Sequence, residues 1–396
     1  MLKYHLALAS APKVGYAFFR FIYNELAYRQ LTIENLFSDK KLLQSLCENP
    51  QTDFEDFKFP NIEQLQNIES YLKNIQWQEF EQIFQWQQSP ENHILCLADE
   101  DYPNLLKTIY APPPILYAKG NIDLLKTIQF AIVGSRNPTK SGEQTAYDFA
   151  SYLSRAGMVI TSGMALGIDA VSHQACLDNQ QPTIAVTGTG LDRIYPAKHK
   201  ELAYQIAENG LLISEFSLGT GPNKSNFPRR NQLISGLSIG TLVVEAALKS
   251  GSLITAQSAL EQGREVFAIP GSIHNPLSRG CHQLIKQGAK LVESAQDIIE
   301  EISPLLISAA SLNLNQTQEK PNSNINKIDT NDKQSTNNSQ STEQQTELLQ
   351  WIDYAPISID ELCERSQLEI NQINAQLSLL ELEGKIKLYP DGRISL

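Results

Sequence analysis

The chain has 396 residues, 41% of them hydrophobic, and a formal net charge of −12. That length exceeds one ordinary core, so two or three domains are expected. No stretch of about 18 apolar residues is present, so no membrane span is expected.

Met1-Leu2-Lys3-Tyr4-His5 leads into no apolar core with a small-residue cleavage site, so no secretory signal is expected. Cys47, Cys96, Cys176, Cys281 and Cys363 are odd in number, scattered, and form no C-x-x-C pair. This argues against a zinc site or a disulfide framework and fits a reducing, cytoplasmic location.

Residues 1–85 read as helical, with apolar residues at helical spacing in Val14–Leu26 and Ile62–Trp77. Pro12-Lys13-Val14-Gly15 is similar to a helix-hairpin-helix turn in which a lysine holds the place of the first glycine; a plain helical turn is the preferred reading. Tyr102-Pro103 and Pro112-Pro113-Pro114 mark a loop-rich connection, with Ile115-Leu116-Tyr117 as a short strand before Gly120.

From residue 130 short apolar runs alternate with amphipathic segments. Strands are predicted at Phe130–Val133, Val159–Thr161, Thr183–Thr187, Leu211–Ser214, Thr241–Val244 and Glu265–Ile269. Helices are predicted near 141–155, 167–178, 199–209, 253–262 and 281–287. This alternation predicts an α/β, Rossmann-like, mostly parallel sheet with helices on both faces.

Residues 305–345 are rich in Asn, Gln, Ser and Thr and cannot bury enough apolar surface to offset chain entropy, so a polar linker is expected. In residues 346–396, helices are predicted around Leu348–Ile352, after a Ser358 cap, and at about Glu369–Glu383 before Gly384. Lys385–Tyr389 and Ile394–Leu396 then flank a Pro390-Asp391-Gly392-Arg393 turn. Three helices and a hairpin describe a winged helix. The expected division is 1–90, 91–303, 304–345 and 346–396.

Charge is uneven along the chain. Residues 130–300 hold 14 basic and 14 acidic side chains, whereas residues 346–396 hold 4 and 9. The central block is therefore the one fit to meet phosphates. The predicted third tail helix carries Glu369, Glu381 and Glu383 with no Lys or Arg between them, which favours a protein-contact role over duplex binding.

Glycines follow the central strands. Gly134-Ser135-Arg136 follows the first, Ser162-Gly163 the second and Gly188-Thr189-Gly190 the third, and Gly251-Ser252 precedes a helix. Backbone can approach a ligand closely at glycine, and helix N-termini offer N–H donors. Gathered on the C-terminal edge of a parallel sheet, these turns describe an anion-binding crevice. Singly, each also reads as tight-turn chemistry.

No G-x-x-x-x-G-K-[ST] occurs, and Gly188-Thr189-Gly190-Leu191-Asp192-Arg193 has Arg193 where a dinucleotide fingerprint needs glycine. Basic and aromatic residues punctuate what reads as loop: Phe227-Pro228-Arg229-Arg230-Asn231, and Tyr195-Pro196-Ala197-Lys198-His199-Lys200. Such cations can pair with phosphates while rings stack on unpaired bases, which favours single strands. Phe227 and Tyr195 also read as half-buried loop anchors. Asp169 and His173 lie four apart on one helix face, but no nucleophile or metal-ligand set accompanies them. No catalytic residue, metal site or cofactor is therefore predicted.

These residues resemble the DprA/Smf family, DNA-processing protein A of natural transformation. The resemblance is carried by Ala131–Arg136, Ser162–Asp169 with His173, Gly190-Leu191-Asp192 with Tyr195-Pro196, and Ser214-Glu215. It continues through Phe227–Asn231, Val244-Glu245-Ala246, Ser250–Ala256, Val266–Gly271 and Leu284–Ala289. It implies an extended Rossmann-like domain that binds single-stranded DNA without sequence preference. It further implies an N-terminal SAM/helix-hairpin-helix-like domain, a homodimer, loading of the RecA recombinase, and no catalysis.

Arg136 looks like the family's phosphate-contacting arginine. Where the family often has lysine after Tyr-Pro, this chain has Ala197, leaving Lys198 or Lys200 to reach DNA. Where the family commonly reads Arg-Asn-Arg, this chain has Arg230-Asn231-Gln232, with Arg229 restoring a charge. The alternative is a phosphoribohydrolase-like enzyme of related fold. Gly240-Thr241 and Glu245 echo the catalytic loop of such enzymes without its preceding glycines.

Overall fold

The computed structural model describes residues 1–39, 41–52 and 59–303, with Leu362, Leu377, Lys387–Leu388 and Ile394–Ser395 beyond them. The chain divides into two compact units, Met1–Gln318 and Glu319–Leu396.

The first unit begins with helices α1 (Leu2–Ser10), α2 (Tyr16–Tyr28), α3 (Asn35–Ser38), α4 (Leu42–Glu48), α5 (Ile62–Lys73) and α6 (Glu81–Gln87). Helix α5 starts at a capping box. The Asn61 side chain accepts from the Gln64 N–H at 2.8 Å, and the Gln64 amide oxygen accepts from the Asn61 N–H at 3.0 Å. Its Leu65, Ile68 and Leu72 then fall on one buried face.

The sheet is built from β1 (Asn92–Cys96), β2 (Ile115–Gly120), β3 (Gln129–Val133), β4 (Val159–Ser162), β5 (Thr183–Val186), β6 (Leu211–Ser214), β7 (Gly240–Val243), β8 (Glu265–Ala268) and β9 (Lys290–Leu291). Helix α7 (Asn104–Lys107) lies between β1 and β2; α8 (Lys140–Arg155), α9 (Ile168–Asp178), α10 (Lys200–Asn209), α11 (Asn226–Leu237), α12 (Ser252–Glu261) and α13 (Arg279–Lys286) follow β3 to β8 in turn. Spatial order is β1-β2-β6-β5-β4-β3-β7-β8-β9. The pairs from β6 to β9 are parallel; β1 with β2 and β2 with β6 are antiparallel.

Successive strand residues face opposite sides of the sheet. Ala131 and Val133 of β3 join the apolar cluster of the α11–α13 side, while Phe130 and Ile132 join Ala146, Phe149 and Leu153 of α8. Every residue of β3 is buried, which is why the run reads as continuously apolar rather than alternating. Leu8, Phe18, Phe19 and Ile22 of the N-terminal helices share the first of these clusters. Each such side chain contributes about 1.5–3 kcal/mol by leaving water.

The six central strands and five helices fall within two residues of their predicted ends. Several elements depart from expectation, among them α7 in what reads as a loop-rich connection and the helical residues 295–303. Strands β1 and β9 extend the sheet at its edges. Phe227–Asn231, read as loop, is the first turn of α11. Pro228 is tolerated there because first-turn N–H groups have no intrahelical partner. Among the described residues, no helix is long and apolar enough to cross a membrane.

In the second unit, β10 (Lys387–Leu388) pairs antiparallel with β11 (Ile394–Ser395), where the hairpin is predicted. Leu362 and Leu377 are helical and buried. The rest of the predicted tail helices and the polar segment lie outside the described residues.

Candidate functional site

The order in which strands are laid down reverses beside β3: β4, β5 and β6 lie on one side of it and β7, β8 and β9 on the other, all parallel. Loops leaving the carboxyl ends of β3 and β7 diverge there and open a crevice. The cleft at this point has a volume of about 680 Å³. Gly134, Ser135 and Arg136 line it after β3, and Phe227, Pro228, Arg230 and Asn231 from the start of α11. Gly251, Ser252 and Ile254 line it from the start of α12, with Tyr195, Lys224, Lys249 and Asp169 completing the wall.

Arg136 is exposed, with its guanidinium carbon 5.7 Å from the Phe227 ring centre. Phe227 packs against Gly188 and lies 5.9 Å from the Tyr195 ring. The cleft thus offers an arginine and two aromatic rings side by side.

Arg230 is different. It is buried at 5% exposure and donates to the Gly163 carbonyl at the end of β4, to the Val186 carbonyl of β5 at 2.9 Å, and to Asn231 Oδ1 at 3.0 Å. Burial lowers its pKa to about 10, with Arg136 adding to the effect and Asp169 opposing it. It remains a cation at neutral pH. Asp169 is buried, and desolvation holds its carboxyl above the usual range despite Arg230 and Arg136. It accepts from the Ala165 N–H at 3.2 Å and so orients the loop after β4.

Two glycines are required by this packing. A Cβ on Gly163 would lie 2.5 Å from Arg230 Nη1. Gly167 has φ +77°, and a Cβ there would lie 2.3 Å from the Ser135 carbonyl oxygen.

Ser135 is buried, and its hydroxyl accepts from the Asn137 N–H at 3.2 Å. Asn231 donates to the Gly251 carbonyl at 3.2 Å, tying α11 to α12. The Ser252 hydroxyl pairs with that of Ser250 at 2.7 Å.

The remaining predicted residues are not in the lining. Ser162 is buried and donates to the Ile132 carbonyl at 2.6 Å. Gly163 is buried under Arg230. Lys198 and Lys200 are exposed, with the Lys200 ammonium 5.9 Å from the Tyr204 ring. Arg229 turns away and binds Glu215 at 2.8 Å and the Tyr16 hydroxyl.

Lys224 and Lys249, both exposed, are site cations that the sequence reading did not single out. Their signal is position: Lys249 directly precedes Ser250-Gly251-Ser252, and Lys224 lies just before α11.

The acid–base candidates are engaged elsewhere. His173 Nδ1 lies 2.8 Å from the Thr183 hydroxyl, which itself donates to the Ile160 carbonyl at 2.6 Å, so the ring N–H donates to Thr183. Burial pushes His173 down to about 3, and it is neutral. Glu245 accepts from the Thr139 N–H at 2.9 Å and the Thr139 hydroxyl at 2.6 Å, while Thr139 Oγ1 caps α8 by accepting from the Gly142 N–H at 3.0 Å. Among the described residues, no three His, Cys, Asp or Glu side chains group as a metal site.

Residues 93–303 match the family model of DNA recombination-mediator protein A, and residues 332–392 that of the DprA winged helix domain. Protein Smf of Escherichia coli is 40% identical over 318 residues, spanning 78% of this chain and 79% of that one. DNA processing protein DprA of Streptococcus pneumoniae is 48% identical over 217 residues, spanning 55% and 76%. The X-ray structure of DNA processing protein A from Streptococcus pneumoniae matches with a TM-score of 0.63 and 35% identity, over 76% of this chain and 98% of that one.

Proposed function

The chain belongs to the DprA/Smf family of DNA-processing proteins, and from that premise we propose that it binds single-stranded DNA in the cleft at the strand reversal. The observation that carries this reading is the charge of the lining. Arg136, Lys224, Arg230 and Lys249 face one acid, Asp169, in a chain of net charge −12. Arg136 and the two lysines meet phosphates at the rim, Arg230 supplies a fixed positive charge below, and Phe227 with Tyr195 stacks on exposed bases. A duplex keeps its bases stacked on one another and leaves these rings unused.

In this reading Gly134, Ser135, Asn231, Gly251 and Ser252 shape the cleft through their backbones and side-chain bonds. Ser162 and Gly163 hold the floor, and Arg229, Lys198 and Lys200 act on strand outside it. The protein works in the cytoplasm as a homodimer, without catalysis or cofactor, and passes the strand to the RecA recombinase. The hydrolase alternative is disfavoured because Glu245, its candidate acid, is committed to Thr139 at the start of α8.

A mobility-shift titration with single-stranded and duplex DNA over a range of salt tests the proposal. Single strands should be retained and duplex weakly so, with log K falling against log salt by about 0.7 per phosphate contact. Equal affinity for the two forms would overturn it.

A further inference from the structure

A second cleft, of about 820 Å³, is lined by Lys13, Gly15, Tyr16 and Ala17 from the N-terminal helices and by Arg229 from α11. The first turn of α11 separates it from the site above: Phe227, Pro228 and Arg230 line one cleft, and Arg229 lines the other. Consecutive helical residues point about 100° apart, so adjacent arginines serve different surfaces.

Lys13 lies in the short turn between α1 and α2, closed by the Val14 N–H donating to the Ala11 carbonyl at 3.2 Å. Its φ is +65°, a left-handed conformation that L side chains seldom adopt. The turn joining the two helices holds the lysine in this conformation. Among the described residues Lys13 has no ion pair. Across the cleft Arg229 is about half exposed, its guanidinium carbon 4.7 Å from the Tyr16 ring. The described lining therefore has a cation from each of two distant chain segments, the Tyr16, Phe18 and Phe59 rings, and no carboxylate of its own, Glu215 reaching Arg229 from behind at 2.8 Å.

We infer that this second cleft receives the continuation of the strand held at the sheet edge, with its phosphates against Lys13 and Arg229. The inference rests on the strand-binding reading above. It adds a length requirement: a strand short enough to sit in the first cleft does not touch Lys13.

The test uses the full chain, wild type, Lys13→Gly and Lys13→Glu, titrated with oligothymidylates of about 5 and about 20 nucleotides. Glycine removes the cation and suits the left-handed backbone, so lost affinity in that variant cannot come from misfolding of the turn. The short strand should bind all three proteins alike. The long strand should bind both variants several-fold more weakly, Lys13→Glu more so, with a salt slope shallower by about 0.7 for Lys13→Gly.

Unchanged long-strand affinity in both variants overturns the inference, as does equal weakening for short and long strands. A wild type that retains neither strand overturns the strand-binding reading itself; one that retains both, matched by the variants, overturns only the second cleft.

Discussion

Replacing Arg230 with methionine removes the charge under the first cleft while keeping a chain of comparable length. Three acceptors then lose their donor: the Gly163 and Val186 carbonyls and Asn231 Oδ1. Each buried group left unsatisfied costs about 1–3 kcal/mol, and Asp169 loses its principal cation. Urea unfolding at neutral pH with an unchanged m-value would read this loss.

The pH dependence has a definite sign. Asp169 already lies above the usual carboxylate range, and losing Arg230 raises it further. An acid with a raised folded pKa contributes stability that is full below its unfolded pKa and is lost as pH rises through the folded value. The variant's deficit should therefore be larger at pH 8 than at pH 4. If Arg230→Met stays within about 1 kcal/mol of wild type yet loses strand binding, the guanidinium is a direct ligand cation and its assignment to the floor is refuted.

Arg136→Ala should weaken binding to every strand sequence alike, with a salt slope shallower by about 0.7 and stability within about 0.5 kcal/mol of wild type; a sequence-dependent loss in the same titration would contradict this. Glu215 is buried, and desolvation pushes its carboxyl up to about 8. Wild-type stability should accordingly fall as pH rises from about 5 through 8, by at most about 1.4 kcal/mol per unit from this group. In Glu215→Gln that component should vanish, and thermal melts across the range compare the two profiles.

The parallel strands were legible because both faces of the sheet are covered, so Phe130–Val133 and Leu242–Val244 show as unbroken apolar runs. The start of α11 was not, because Pro228, two arginines and Asn231 suppress helical periodicity where the chain turns toward the cleft. Strand β1 carries one short apolar run, Ile94–Cys96, and gains its order from pairing with β2. The cleft's glycines could be located from their places after strands. Side-chain direction could not: Arg229 and Arg230 are adjacent in sequence and point to separate clefts, and Lys198 and Lys200 follow Tyr195 without lining its cleft.

The clasp of Glu245 on Thr139 has a consequence for how a ligand is chosen. The two strands flanking the reversal end in loops that would otherwise be free to spread. Glu245 follows one and Thr139 the other, and both carboxylate oxygens are used to join them. The gap between the walls is therefore set before anything enters. If the cleft binds DNA as proposed, such a slot would select by exclusion, admitting a chain thin enough to thread it and refusing a wider one. Little of the binding energy goes into reshaping the protein, and association should be fast and limited chiefly by electrostatic encounter.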